Sequence, residues 1–287
     1  MTKGAKRFRS VLCGLLSFLL SVSLVLLCIL GTLKLTALNP AYTSYVCVHS
    51  GYAQSVWEEM KEEFVSYGAA CNIDESFFDG VFENIITPQL ITEYTKSSVE
   101  GFYKNSPSDK TSDEQIKAQL LEALKGYAEE KGFVINDALV ENLEVISDEM
   151  NSMYLVYADM FNTSYFNTAS NMLTRYMPLL KWAVLGIAVF ALLAIIVIRL
   201  FFKKAKNYLR YYIYSASGAA LMLAIAPAAA LILKIASKIN IVNASLYYLA
   251  TGFINGFLIA LLAVAAVMAV ITVILTLIRA SAVRKNK

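Results

Sequence analysis

The sequence predicts an all-α membrane protein, four transmembrane helices with an all-helical domain inserted between the first and second. Three observations carry that expectation. Of 287 residues, 57% are hydrophobic and only 16% charged, well away from the soluble average of about 25% charged. Four apolar runs, 11–33, 179–198, 211–233 and 249–278, hold no Asp or Glu, and each approaches or exceeds the roughly 20 residues that cross a hydrocarbon core of about 30 Å. All 22 carboxylates fall between Glu58 and Asp159, in the one long segment separating the first two runs.

Residues 1–10 form a basic start with Lys3, Lys6, Arg7 and Arg9. The run that follows exceeds the apolar core of a secretory signal, about 7 to 15 residues, and no small-x-small cleavage site closes it. It is expected to stay as an anchor, span 11–33. Leu27 before Cys28 argues against lipoprotein processing.

Residues 38–177 are long enough to build a core of their own. Eight basic residues stand there against 22 acidic ones, a net charge of −14. Ala53, Val56, Trp57, Met60, Phe64 and Tyr67 repeat at helical spacing, with Gly68 as the expected stop. Asp74 caps a second helix with Phe77, Phe78, Val81, Phe82, Ile85 and Ile86. Thr87 as N-cap and Pro88 at the first helical position start a third, running to about Lys104. A polar loop at 105–112 leads to a Ser112/Gln115 capping box and a stripe of Ile116, Leu120, Leu124 and Tyr127, closed by Gly132. Asn136 caps a fifth helix with Leu139, Leu143, Ile146, Met150, Met153, Tyr157 and Phe161 on one face. Alternating strand patterns are missing. The connector 162–178 reads equally as helix or stalk.

Span 179–198 follows, then a basic loop, 199–210, with Arg199, Lys203, Lys204, Lys206 and Arg210. Span 211–233, a short loop 234–248, span 249–278 and a basic C-terminus 279–287 complete the chain. Short loops and tails rich in Lys and Arg stay in the cytoplasm, so both termini are expected inside and 38–177 outside the cell membrane. Lys34, Lys181, Lys234 and Lys238 then lie at the outer span ends as snorkelling anchors. Tyr208, Tyr211, Tyr212 and Tyr214 at the inner face, and Trp182, Tyr247 and Tyr248 at the outer, read as aromatic belts.

Small residues repeat every four positions on two adjacent spans, Ala216, Ala220, Ala224 and Ala228 on one, Gly252, Gly256 and Ala260 on the other. In lipid such residues let backbones approach, so a packed hairpin of the last two spans is expected, with Pro227 as a bend. Cys13 and Cys28 lie in the first span as small apolar residues. Cys47 and Cys71 both fall outside, where a disulfide between them and two free thiols are both open readings.

The inventory of reactive groups is short. His49 is the one histidine and has no metal or nucleophile motif around it, so a structural role is expected. The pairs Glu58/Glu59, Glu62/Glu63 and Glu129/Glu130 read as solvated helix faces rather than a cation site. No phosphate-cradling glycine loop, no catalytic, cofactor or metal site and no nucleic-acid partner is expected. Asn255, Thr251 and Thr272 are thin provision for an ion path.

The basic start, one span, "LTALNP" just beyond it, an acidic helical segment and three closely spaced spans with a proline in the third resemble a broad group of uncharacterised bacterial membrane proteins. The order of spans is also similar to the FtsX and MacB class of ABC-transporter permeases, which carry a longer lead-in than the nine residues here. Two functions follow as expectations. One is an envelope interaction protein whose acidic domain binds a partner outside or in the membrane plane. The other, implied by the permease resemblance, is a transport or mechanotransmission subunit working with a separate ATPase.

Overall fold

A computed structural model describes residues 3–106, 111–202 and 204–284, without the side chains of 3–6, 111–113 and 162. The expected Ser112 cap and Lys3, Lys6, Lys110, Lys203, Lys285 and Lys287 therefore lie outside the described side chains. The helices are α1 (Lys3–Leu35), α2 (Pro40–His49), α3 (Tyr52–Ala70), α4 (Glu75–Asn84), α5 (Pro88–Lys104), α6 (Thr111–Glu130), α7 (Asp137–Ala158), α8 (Ser164–Phe201), α9 (Ala205–Ile232) and α10 (Ala244–Arg284). No strand occurs among the described residues. Contacts divide the chain into a span unit (1–39, 177–239, 253–287) and a helical unit (40–176, 240–252).

In the helical unit α3 is central and touches α2, α4, α5 and α7, while α6 packs on α7. Its core is made of large side chains. Tyr52, Met60, Phe64, Phe78, Phe82, Ile91, Leu120, Leu124, Met150 and Tyr154 are fully buried. Phe64 meets Phe82 edge-on at 5.2 Å and Phe78 at 6.4 Å, the geometry that ring quadrupoles favour. Trp57 packs on Phe82 and donates from Nε1 to Ile86 O at 2.7 Å. Two caps form as expected: Thr87 Oγ1 accepts from Leu90 N at 3.2 Å and Asn136 Oδ1 from Leu139 N at 2.8 Å. Gly132, at φ +83, ends α6, with Phe133 N returning to Ala128 O, the 6→1 bond of a glycine C-terminal motif.

Several expectations for this unit change. Gly68 is not a stop: α3 runs on to Ala70, and the glycine is there because Phe78 occupies the space a Cβ would fill, 2.1 Å from a ring carbon. The αL position that closes α3 is Asn72, at φ 61, with Ile73 N bonding Gly68 O. Asp74 sits at the N-cap of α4 without a capping bond. Its carboxylate pairs with Lys131 at 2.5 Å instead. The inward face of α7 is rotated from the expected one. Ser147, Tyr154 and Ala158 are buried, whereas Ile146, Met153 and Tyr157 are half-buried. Ser147 turns inward because its hydroxyl donates to Lys117 O at 2.9 Å. Helix α2 was not anticipated, and the connector is helical from Ser164 onward.

In the span unit, α1, α8, α9 and α10 are each long and apolar enough to cross a membrane. At 38 and 41 residues, α8 and α10 run to about 57 and 61 Å at 1.5 Å per residue, about twice a hydrocarbon core. Pro227 lies buried inside a continuous α9. Among the spans, close backbone approach is extensive only between α1 and α9. Serines sit at that seam. Ser17 Oγ donates to Tyr211 O at 2.8 Å, Ser215 Oγ donates to Ser17 O at 2.8 Å, and the two hydroxyls are 3.0 Å apart. One step along, a Cβ on Gly218 would lie 2.8 Å from Ser21 Oγ and 3.6 Å from Ser21 Cβ. Ser21 Oγ is buried without a hydrogen-bond partner. A helical serine usually turns to the carbonyl four residues earlier, here Ser17 O, which Ser215 already engages.

The close contact with α1 is made by Tyr211, Ser215 and Gly218, beside the alanine stripe and not on it. Ala216, Ala220 and Ala224 belong to one apolar cluster with Leu24, Val25 and Cys28 of α1 and with Leu261, Ala265 and Met268 of α10. Ala228, Gly256 and Ala260 are half-buried. Gly252 faces α2, where a Cβ would meet Ser50 at 2.8 Å and Val46 at 3.0 Å. The tyrosines at the start of α9 are not all belt residues either. Tyr211 is buried and stacks on Phe202 at 5.4 Å, and Tyr212 donates to Ile195 O at 2.7 Å.

Candidate functional site

The helical unit contains an apolar groove of about 180 Å³ where the end of α3, α6 and α7 converge. The Schellman turn at Gly132 puts Phe133 into its wall. Leu124, Leu139, Leu143 and Ile146 form the floor and sides, and Cys71 and Asn72 close one end. Phe133 remains 62% exposed and Val134, next to it, 81%. Two large apolar side chains left in water beside an apolar depression mark a contact surface more than a core.

The mouth is polar and fixed. Tyr127 accepts from Asp74 N at 3.0 Å, packs on Phe77 at 5.0 Å and lies under Lys131, whose Nζ is 5.4 Å from the ring. Hydrogen bonding from Lys131, then from Tyr127, holds the Asp74 carboxyl below the usual carboxylate range, and the same bond raises Lys131. Behind Cys71, burial and a hydrogen bond with that thiol push the Tyr67 hydroxyl up to about 12. No histidine is near: His49 is on α2, stacked on Tyr45 at 4.1 Å with Nδ1 2.9 Å from Tyr45 O. The groove can take an apolar side chain next to a cation or an amide, but it presents no matched acid and base.

Cys47 and Cys71 are both free thiols in this structure. Cys47 lies on α2 and Cys71 just after α3. Between them runs α3, 19 residues and about 28 Å long, whereas a disulfide spans at most about 7 Å between Cα atoms. Burial pushes the Cys47 thiol up to about 12. Among the described residues no three His, Cys, Asp or Glu side chains come together as a metal site.

One glutamate of the supposed solvated pairs has a structural task. Glu59 accepts from Ser245 N at 3.0 Å and from Ser245 Oγ at 2.7 Å, so its carboxylate caps the N-terminus of α10, where unpaired N–H groups and the helix dipole favour an anion. A "ASL" helix start carries no acid of its own, which was the available signal. Phe133 and Val134 were missed as well. Their signal is the pair of bulky residues directly after the stop glycine, where a loop is normally polar. No family model, curated protein or solved structure matches this chain.

Proposed function

We propose that this is a multi-pass interaction protein of the cell membrane, with both termini cytoplasmic, residues 38–177 outside, and binding carried by the helical unit. The orientation rests on the cations gathered at one end of the span unit, Arg9, Lys206, Arg210 and Arg279, which short loops keep on the cytoplasmic side. The observation that carries the binding reading is the groove flanked by exposed Phe133 and Val134. Its partner is a protein offering an apolar side chain.

A photo-crosslinking phenylalanine analogue at Phe133 tests this in intact cells. One discrete adduct is expected, absent when Leu139→Glu closes the groove and absent when the analogue replaces Val145, exposed on α7 outside it. Adducts of equal yield from both positions, or none from either, reject the reading.

The second reading is a transport or mechanotransmission subunit with a separate ATPase. It draws on the basic α8–α9 turn as the docking point. Purification from native membranes at low salt without an ATPase would end it.

A further inference from the structure

The cleft at the basic end of the span unit has properties that membrane orientation does not require. It holds about 290 Å³ between the start of α1, the α8–α9 turn and the end of α10. Four cations line it: Arg9, Lys206, Arg210 and Arg279. Neither residues 1–57 nor residues 160–287 contain an Asp or Glu, so the span unit has no carboxylate to neutralise them.

The cations are instead positioned by neutral groups. Arg9 Nη1 donates to Phe201 O at 3.2 Å and its guanidinium lies over Phe202 at 4.6 Å. Arg279 Nε donates to Lys206 O at 3.2 Å. Arg210 Nε donates to the Tyr214 hydroxyl at 2.7 Å. Both of the last two bonds use Nε, and the terminal Nη amines of Arg210 and Arg279 have no protein partner among the described residues. A guanidinium held by one edge offers the other as a planar donor pair, the geometry that matches phosphate oxygens. Neutral donors complete the wall, for Ser10 and the Tyr211 hydroxyl share a 3.2 Å hydrogen bond there and Asn207 adds an amide.

We propose that this cleft is a binding site for a phosphate-bearing anion. The group would sit among the guanidinium edges and Lys206, supplying the negative charge that the unit lacks. Basic pockets between spans on one side of a membrane take phospholipid headgroups on the same chemistry, and a free phosphate would satisfy the same donors. A cation is disfavoured, since no Asp or Glu is among the described residues that line the cleft.

The test uses the full chain in neutral detergent. In one arm, native mass spectrometry compares retention of phosphatidylglycerol with phosphatidylcholine. In the other, inorganic phosphate is titrated against chloride at constant ionic strength while the thermal midpoint is followed by circular dichroism. Selective retention of the anionic lipid assigns a headgroup, and stabilisation by phosphate alone assigns a soluble ligand. Arg210→Gln/Arg279→Gln should weaken whichever response occurs at least tenfold. Arg7→Gln/Arg284→Gln removes the same charge outside the cleft and should leave it within twofold. If the first variant does not fold, Lys206→Gln serves in its place, expected to weaken binding severalfold. No selectivity in either arm, or equal loss in the outside variant, overturns the proposal.

Discussion

The helical unit and the span unit both bring helices together, but with different atoms. In the helical unit the contacts are rings: Phe64, Phe78 and Phe82 meet edge to face, and the tight glycine Gly68 admits the Phe78 ring. Water supplies the driving force, so the largest apolar side chains stabilise most. In the span unit the closest contact uses Ser17, Ser21, Ser215 and Gly218, while Leu185, Leu192, Ile196 and Val270 stay exposed. Lipid is as apolar as leucine, so only close approach and hydrogen bonds favour one helix over the bilayer. Charge divides the same way. Lys61–Asp79, Lys117–Asp148 and Lys131–Asp74 are ion pairs of the helical unit. The span unit's arginines turn to carbonyls and rings.

The sharpest way to break this comparison is to add bulk at Gly68, with Gly126 as the control. Gly68→Val drives a side chain into the fully buried Phe78 ring and should cost about 3 kcal/mol, read as a fall in the urea midpoint of the helical unit. Gly126 has open space around it, so Gly126→Ala should gain up to about 1 kcal/mol from helix propensity. Similar midpoints for these two variants would remove the packing argument. Removing the cap comes next. Glu59→Ala leaves the first N–H groups of α10 without their carboxylate and should cost about 2 kcal/mol, with faster hydrogen exchange confined to residues 244–248.

The serine seam predicts opposite signs from neighbouring positions. Ser215→Ala removes bonds to Ser17 O and Tyr211 O and should cost about 0.6 kcal/mol. Ser21→Ala removes a buried hydroxyl without a partner and should gain about 1 kcal/mol. Steric-trap unfolding in bicelles resolves both, and like signs would contradict the seam. Thiol chemistry sharpens the burial contrast within the helical unit. Half-exposed Cys71 should react with a maleimide in the native protein, whereas Cys47, buried with its thiol near 12, should react only after denaturation.

The smallest effect is electrostatic. Asp74 is held below its ordinary range, so its contribution is present above the unfolded value of about 3.9 and is lost as pH falls through the folded one. Lys131 is raised, so its share is present below about 10.4 and is lost as pH rises through its folded value. Both groups are exposed and solvent screens the pair. The gap in thermal midpoint between wild type and Asp74→Asn should therefore be slight at pH 7 and shrink further as pH falls below the unfolded value of about 3.9.

Much of this was legible in the sequence because it depends on local chemistry. The four apolar runs, the Thr87 and Asn136 caps and the Gly132 stop each answer to a few adjacent residues. What was not legible depends on residues distant in the chain. The inward turn of Ser147 needs the Lys117 carbonyl, and the glycine at 68 needs a ring ten residues away. The close partner of α9 is α1, about 200 residues earlier, while sequence order favoured the adjacent span. The groove escaped notice because a loop residue's exposure, here at Phe133, follows from how α6 and α7 converge and not from periodicity.

The central claim is that the close helix contact in the span unit joins α1 to α9. Ser21 Cβ and a Cβ built on Gly218 lie 3.6 Å apart, inside the range of about 3.5 to 4.5 Å found across disulfides. With Cys13 and Cys28 replaced by alanine, Ser21→Cys/Gly218→Cys should therefore crosslink almost completely under mild oxidation in membranes, as read by peptide mapping. Ala220→Cys/Gly256→Cys, the pair that a seam between the last two spans would favour, should stay reduced. Crosslinking of the second pair and not the first would contradict the account.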